Sequence, residues 1–295
     1  MPGSYSTDVR VLTCPGCGAP FSVSPAGGQV SCQFCGSQIQ VPGRDDTNLG
    51  AAAGPKPSEA ERQQGLWTQE RTFAEQQLPP EMVQLLAPGP VTDDRLAPFM
   101  QLWSSYCDAG RRGDLHYASL ALLLMGSISG YFTMHNDTVR QRALYESTLD
   151  AMVSPAQKQV VRCQMARAAA KAGEMEAATS WLASCDPASM DLQADSAYRL
   201  TYASLATQRN DFDGAIGALG PTPQSIPMAL TMALISDLLR ANAIEKKGDV
   251  NTAVARLVEC ARTRASGAQI IPAVVQANPH LQLCPQSLPI AIKEF

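Results

Sequence analysis

The sequence predicts a mainly α-helical protein with a small β-structured unit at its N-terminal end. Three observations carry that prediction. From residue 59 onward Ala, Leu, Met, Gln and Arg dominate, and apolar residues recur at helical spacing. Within that region four short segments repeat one pattern of turn residue, acid and alanine. Before residue 42, short apolar alternations are interrupted instead by two Cys-x2-Cys turns. At 295 residues the chain exceeds the usual single domain, so more than one unit is expected. Apolar residues form 45% of it, enough for a sizeable core, and 17% charged residues exclude a disordered chain or a highly charged coiled coil. A net charge of −4 argues against a mainly nucleic-acid-binding protein.

The first element is built on Cys14-Pro15-Gly16-Cys17 and Cys32-Gln33-Phe34-Cys35, a C-x2-C-x14-C-x2-C pattern. Each turn can bend two thiolates onto one cation. Two such turns supply four sulfurs at about 2.3 Å in a tetrahedron, which is a closed structural zinc site. Gly18 and Gly36 follow the two turns, where a residue without a β-carbon is favoured. Residues 9–12, 29–31 and 38–41 fit short strands, with a turn at 25–28. Residues 8–42 thus resemble the zinc-ribbon family, the rubredoxin-like knuckle, and the ribbon is assigned residues 1–42. With Val11, Phe21, Val23, Val30, Ile39 and Val41 as its apolar inventory it has almost no core, so one structural Zn2+ is expected to supply most of its folding free energy. Four cysteines leave no open coordination position for catalysis. The only charged side chains in residues 1–43 are Asp8 and Arg10, and four thiolates keep the metal centre negative, so a phosphate backbone finds no cationic row. Protein docking is the better reading, through Phe34 and Phe21.

Residues 43–58 are rich in Gly, Ala, Pro and polar side chains, with Leu49 the only sizeable apolar group, and read as a flexible tether. The N-terminal residues lack the basic-then-apolar pattern of a secretory signal, and the chain reads as cytoplasmic. Residues 115–136 carry no Asp, Glu, Lys or Arg, but His116, His135, Asn136 and several Ser and Gly interrupt the run. It reads as the buried helix of a domain rather than a membrane span.

The helical body, residues 59–295, is organised by the repeated segments Gly113-Asp114-Leu115-His116-Tyr117-Ala118, Gly173-Glu174-Met175-Glu176-Ala177-Ala178, Asn210-Asp211-Phe212-Asp213-Gly214-Ala215 and Gly248-Asp249-Val250-Asn251-Thr252-Ala253. In each, the Gly or Asn ends one helix in a left-handed turn, the acid favours the start of the next, and the alanine permits close approach of the pair. Ala166, Ala203 and Ala241 recur ahead of three of these alanines, and Leu122, Leu182, Leu219 and Leu257 recur behind them. The pattern resembles the tetratricopeptide (TPR) family over about residues 96–266, most clearly at 196–227. Spacings of 37 and 38 residues exceed the family's roughly 34, its aromatic positions are mostly absent, and Tyr106 stands where a small residue is expected. Residues 119–155, with a predicted helix from 137 to 152, interrupt the array. The resemblance implies that Arg167, Ser204, Asn242 and Glu245 face a concave, partner-binding side. Residues 59–77 and 81–87 read as two flanking helices broken at Leu78-Pro79-Pro80. The uncharged, apolar segment 265–292 reads as a cap on the end of the array, with docking onto another subunit as the alternative.

Cys107, Cys163, Cys185, Cys260 and Cys284 are scattered and read as small buried hydrophobes. The chain contains no phosphate-binding loop, dinucleotide fingerprint, nucleophile elbow or metalloprotease motif, and its three His have no partner at a spacing that demands chemistry. The expected function is therefore a non-catalytic adaptor or assembly subunit. Its ribbon docks one protein partner and its helical array another, within a multi-subunit complex. A nucleic-acid-associated regulator and a thiol redox sensor that releases zinc are the alternatives.

Overall fold

The structure is a computed structural model that describes residues 10–14, 17, 19–23, 27–41, 58–73, 78–86, 89, 91–263, 267–277 and 281–294. The expected tether, Ser58 apart, lies outside these residues, as do Val9, Gly18, His280 and the first half of the expected turn at 25–28. The chain is mainly helical, 69% helix, with a small β element at its N-terminal end. Its contacts divide it into two compact units, one of Met1–Ala53 with Gln76–Asp186 and one of Gly54–Glu75 with Pro187–Phe295. The ribbon thus clusters with the first helices, and the helix at residue 59 clusters with the second half of the chain. The sequence expectation had placed both boundaries in one linker.

The first unit opens with two antiparallel hairpins, β1 (Arg10–Thr13) with β2 (Pro20–Val23), and β3 (Gly28–Ser31) with β4 (Gln38–Val41). Alternation sends Leu12, Cys14, Phe21, Val23, Cys32 and Val41 into one small core, with Val30 and Ile39 packed against it. Leu12 faces Phe21 across the first ladder and Val30 faces Ile39 across the second. Leu12, which the sequence inventory does not name, is part of this core.

The unit continues with α2 (Pro80–Leu86), α3 (Asp93–Arg111), α4 (Leu115–Met134), α5 (Thr138–Ala151), α6 (Pro155–Lys171) and α7 (Met175–Ala183). Helices α3 with α4 and α6 with α7 form hairpins, and α5 lies against α3, α4 and α6. Helix α4 is long and apolar enough to cross a membrane, but half of its most apolar window is buried inside the protein. Its Ser129 hydroxyl is tied to Tyr145 of α5, and Gln141 of α5 donates to Ser129 and Thr133.

The second unit comprises α1 (Glu59–Phe73), α8 (Leu192–Gln208), α9 (Phe212–Leu219), α10 (Leu230–Lys246), α11 (Val250–Thr263), α12 (Gly267–Ala277) and α13 (Ser287–Ala291). Pairs α8–α9 and α10–α11 are hairpins, and α9 also packs on α10. Two arginines close the end of α9, where carbonyls have no partner within the helix. Arg199 donates to Ala218 O, and Arg240 donates to Leu219 O and Gly220 O.

All four predicted turns adopt the expected left-handed conformation, with φ of 95° at Gly113, 83° at Gly173, 60° at Asn210 and 96° at Gly248. Around each, two backbone N–H groups reach back to the preceding helix, as Asp114 does to Ala109 O and Asp249 to Ile244 O. Asp114, Asp211 and Asp249 then accept an amide from the first turn of the next helix. Ala118, Ala178, Ala215 and Ala253 are completely buried. A fifth such turn escaped the sequence reading: Asn136 has φ 53°, Asp137 N donates to Phe132 O, and the Asp137 side chain caps α5. Its Asn-Asp pair was legible, but Gln141 stands where the pattern wants alanine. In the first hairpin Gly110 supplies the close approach that Tyr106 cannot, since a β-carbon there would lie 3.2 Å from Ala118 Cβ of α4 and 2.5 Å from Ala151 O of α5. Tyr106 is buried and donates to Glu81.

Helix α1 is held on α8 by charge as well as by Leu66, which packs with Leu192 and Ala229. Asp195 is fully buried and receives Arg62 on one oxygen and Arg199 on the other, both at 2.7 Å. Arg62 in turn grips Glu59, whose carboxyl is held down to about 2, chiefly by that hydrogen bond. Removing the central carboxylate leaves the Arg62 guanidinium buried without its partner on α8. Asp195→Ala is therefore expected to cost about 3–5 kcal/mol in urea unfolding followed by helical circular dichroism.

Candidate metal centre

The four N-terminal cysteines converge. Each pair sits at the tip of one hairpin, and the two knuckles repeat the same backbone bond: Cys14 N donates to Ala19 O and Cys32 N donates to Ser37 O, both at 2.9 Å. In the second knuckle Gly36 N also returns to Cys32 O, and Gly36 has φ 72°, which a glycine adopts without strain. The result is a cluster whose sulfurs all lie within 4.8 Å of one another. Cys14 Sγ is 3.6 Å from Cys35 Sγ, and Cys17 Sγ is 3.7 Å from Cys32 Sγ. A regular tetrahedron with metal–sulfur bonds of about 2.3 Å has edges of about 3.8 Å, so the residues fit one metal ion.

The surroundings favour thiolate at two of the four cysteines. The Phe34 and Cys35 amides hold the Cys32 thiol below its usual value, and the Ser37 hydroxyl and amide bring Cys35 down to about 6. At Cys17 the Ala19 amide pulls the same way, but lost solvation and the three neighbouring thiols together push it up to about 12. Four sulfurs this close cannot all ionise without a cation among them. A bound metal supplies that charge and replaces the remaining protons. Cys14 and Cys32 are buried under the ribbon core while Cys17 and Cys35 face solvent.

The ribbon is not free of the helices. Strands β1 and β2 lie on α5, and Thr13 N donates to Ser147 Oγ at 3.0 Å. With α3, α4 and α6 against it as well, α5 is buried throughout residues 141–149, polar Arg142, Glu146 and Ser147 included. A helix so polar gives no apolar stripe from which its burial can be read, so this contact was not legible in the sequence.

The expected partner contacts fare differently. Phe34 is 72% exposed, whereas Phe21 is buried in the ribbon core and is corrected from a contact residue to a packing one. Arg167 on α6 is half-buried; its Nη1 is enclosed without a hydrogen-bond partner, and burial lowers the pKa of its guanidinium. Ser204, Asn242 and Glu245 are buried and do not line an open surface. The chain's own C-terminal segment occupies the last two. Cys284 N donates to Asn242 Oδ1 at 2.8 Å, Gln286 N and Ser287 N donate to the Glu245 carboxylate at 3.1 and 2.7 Å, and the Ser287 hydroxyl adds a further bond. Helix α13 packs on α11, so the apolar tail caps its own unit.

Because the ribbon covers α5, losing the metal should unsettle the first helical unit and not the ribbon alone. Cys32→Ser, or a strong chelator on the native protein, is expected to lower the midpoint of the helical circular dichroism transition by roughly 5 °C or more. An unchanged midpoint would show that the ribbon contact adds nothing to the helices.

Comparison with known proteins finds no matching protein family, curated protein or solved structure.

Proposed function

We propose that this chain is a non-catalytic protein–protein interaction subunit whose N-terminal ribbon holds one structural Zn2+ and presents a docking knuckle. The choice of zinc is supported by the donor set, four thiolates at tetrahedral spacing with no position left for a substrate or water. The observation that carries the docking role is Phe34, 72% exposed between Cys32 and Cys35. An aromatic ring at the tip of a clamped turn loses little conformational freedom on binding, which is the profile of an interface anchor. Gln33 beside it is also exposed, and Ile39 is half-buried. The helical hairpins support a second, TPR-like contact surface through their recurring left-handed turns and buried alanines. In this reading the ribbon works as a fixed part of the first unit, because β1 rests on α5.

Two measurements test the proposal. Metal analysis of reduced, purified protein is expected to return one zinc per chain; a ratio near zero, or near two, overturns the metal assignment. Phe34→Ala is expected to keep the zinc and the melting midpoint while weakening capture of the partner by about 1–3 kcal/mol, measured by titration against the partner recovered with the wild-type protein. If that variant binds every partner as the wild type does, the knuckle is not a docking site.

A further inference from the structure

Cys163 and Cys185 were read from the sequence as packing residues, yet the fold brings them together. Their sulfurs lie 3.9 Å apart, Cys163 in the middle of α6 and Cys185 just past the end of α7. Neither is in a disulfide; Cys163 is fully buried and Cys185 retains 7% of its surface. Their juxtaposition is held by a local clamp. One turn before Cys163, the Gln159 side chain accepts from Asp186 N at 2.8 Å and donates to Asp186 O at 3.0 Å. The main chain next to Cys185 is thereby tied to the face of α6 that carries Cys163. Cys185 Sγ also lies 3.5 Å from Trp181 O, one turn back along its own helix.

We infer that Cys163 and Cys185 form a redox dithiol site that hydroperoxides convert to a disulfide. A disulfide would close the sulfurs from 3.9 Å to the bonded distance of about 2.05 Å. Cys185, the less buried of the two residues, reacts first. Its thiolate attacks one peroxide oxygen, the S–O bond forms, and the O–O bond breaks. The sulfur is oxidised to sulfenic acid, and the other oxygen is reduced and leaves as an alcohol or water after taking a proton. The Cys163 sulfur then attacks the sulfenic sulfur; the S–S bond forms, the S–O bond breaks, and hydroxide leaves as water with the Cys163 proton. Two thiols and one hydroperoxide give one disulfide, one water and one alcohol or second water. The surroundings help the first step: the hydrogen bond with Cys163, and with it the Arg162 charge, lower the Cys185 thiol below its usual value against the opposing effect of burial. Cys107, by contrast, is fully buried in α3, and burial pushes its thiol up to about 12. It is the internal control. The dithiol is separate from the metal centre and does not depend on the docking role of the knuckle.

The experiment uses full-length, metal-loaded protein exposed to hydrogen peroxide, quenched with an alkylating reagent and digested without reduction. Mass spectrometry is expected to find a Cys163–Cys185 linked peptide that dithiothreitol abolishes, at a yield at least about tenfold above oxidation of Cys107. In Cys163→Ser, a dimedone adduct should accumulate on Cys185, because the resolving thiol is gone; in Cys185→Ser, Cys163 should stay reduced. The proposal is overturned if the linked peptide is absent at peroxide doses that already oxidise the ribbon thiols. It is also overturned if the peptide appears only after unfolding in urea, or if the first adduct falls on Cys163. Should either serine variant fail to fold, linkage mapping of the wild-type protein decides the matter.

Discussion

Five residues held in the left-handed conformation set the course of most of the helical chain. Gly113, Asn136, Gly173, Asn210 and Gly248 each stop a helix, satisfy its last carbonyls through amides that turn back, and hand over to an acidic residue. At four of the five an alanine with no exposed surface follows within the next turn, so the second helix packs closely on the first. The positions tolerate little else. A β-carbon costs roughly 1–2 kcal/mol in this conformation, and only Gly, or Asn with its short polar side chain, relieves that cost. Helical hairpins follow from that local chemistry before any long-range contact is considered.

Packing between hairpins relies on a different resource, polar groups buried with their partners. Arg240 and Arg199 close the end of α9, Asp195 anchors α1 through two guanidinium groups, and Glu245 receives the turn that opens α13. Each is costly to bury alone and tolerable only when its hydrogen bonds are complete. This also explains why three of the four helical positions expected to meet a partner are enclosed. A polar residue at a regular helical position can serve an outside ligand or an inside one. Asn242 and Glu245 serve the chain's own C-terminal segment, whose apolar residues need the cover as much as α11 does.

The metal centre takes its meaning from helix α5. A ribbon of four short strands has little core of its own, and a cation held by its four cysteines would make up the difference. That folded ribbon then covers a helix whose polar side chains would otherwise face solvent. Ribbon and helix α5 thus bury each other, and a metal on the four cysteines would act on both. Meanwhile Phe34, on the far rim of the second knuckle, stays exposed.

Short-range chemistry was written openly in the residues. The four clustered cysteines, the helical hairpins and their turns, and the apolar cap at the C-terminal end could all be read from spacing and residue type. A knuckle, a left-handed turn and an amphipathic helix are each specified within a few consecutive positions. Contacts between residues far apart in the chain carry no such local mark. The ribbon's rest on Ser147, the grip of Arg62 on Asp195, the seating of Ser287 on Glu245 and the meeting of Cys163 with Cys185 all join segments that become neighbours only once the helices are packed. Serine, arginine or cysteine at one position fits a solvated surface, a buried hydrogen bond or a reactive pair equally well. Its environment selects among them, and that environment is made by the fold.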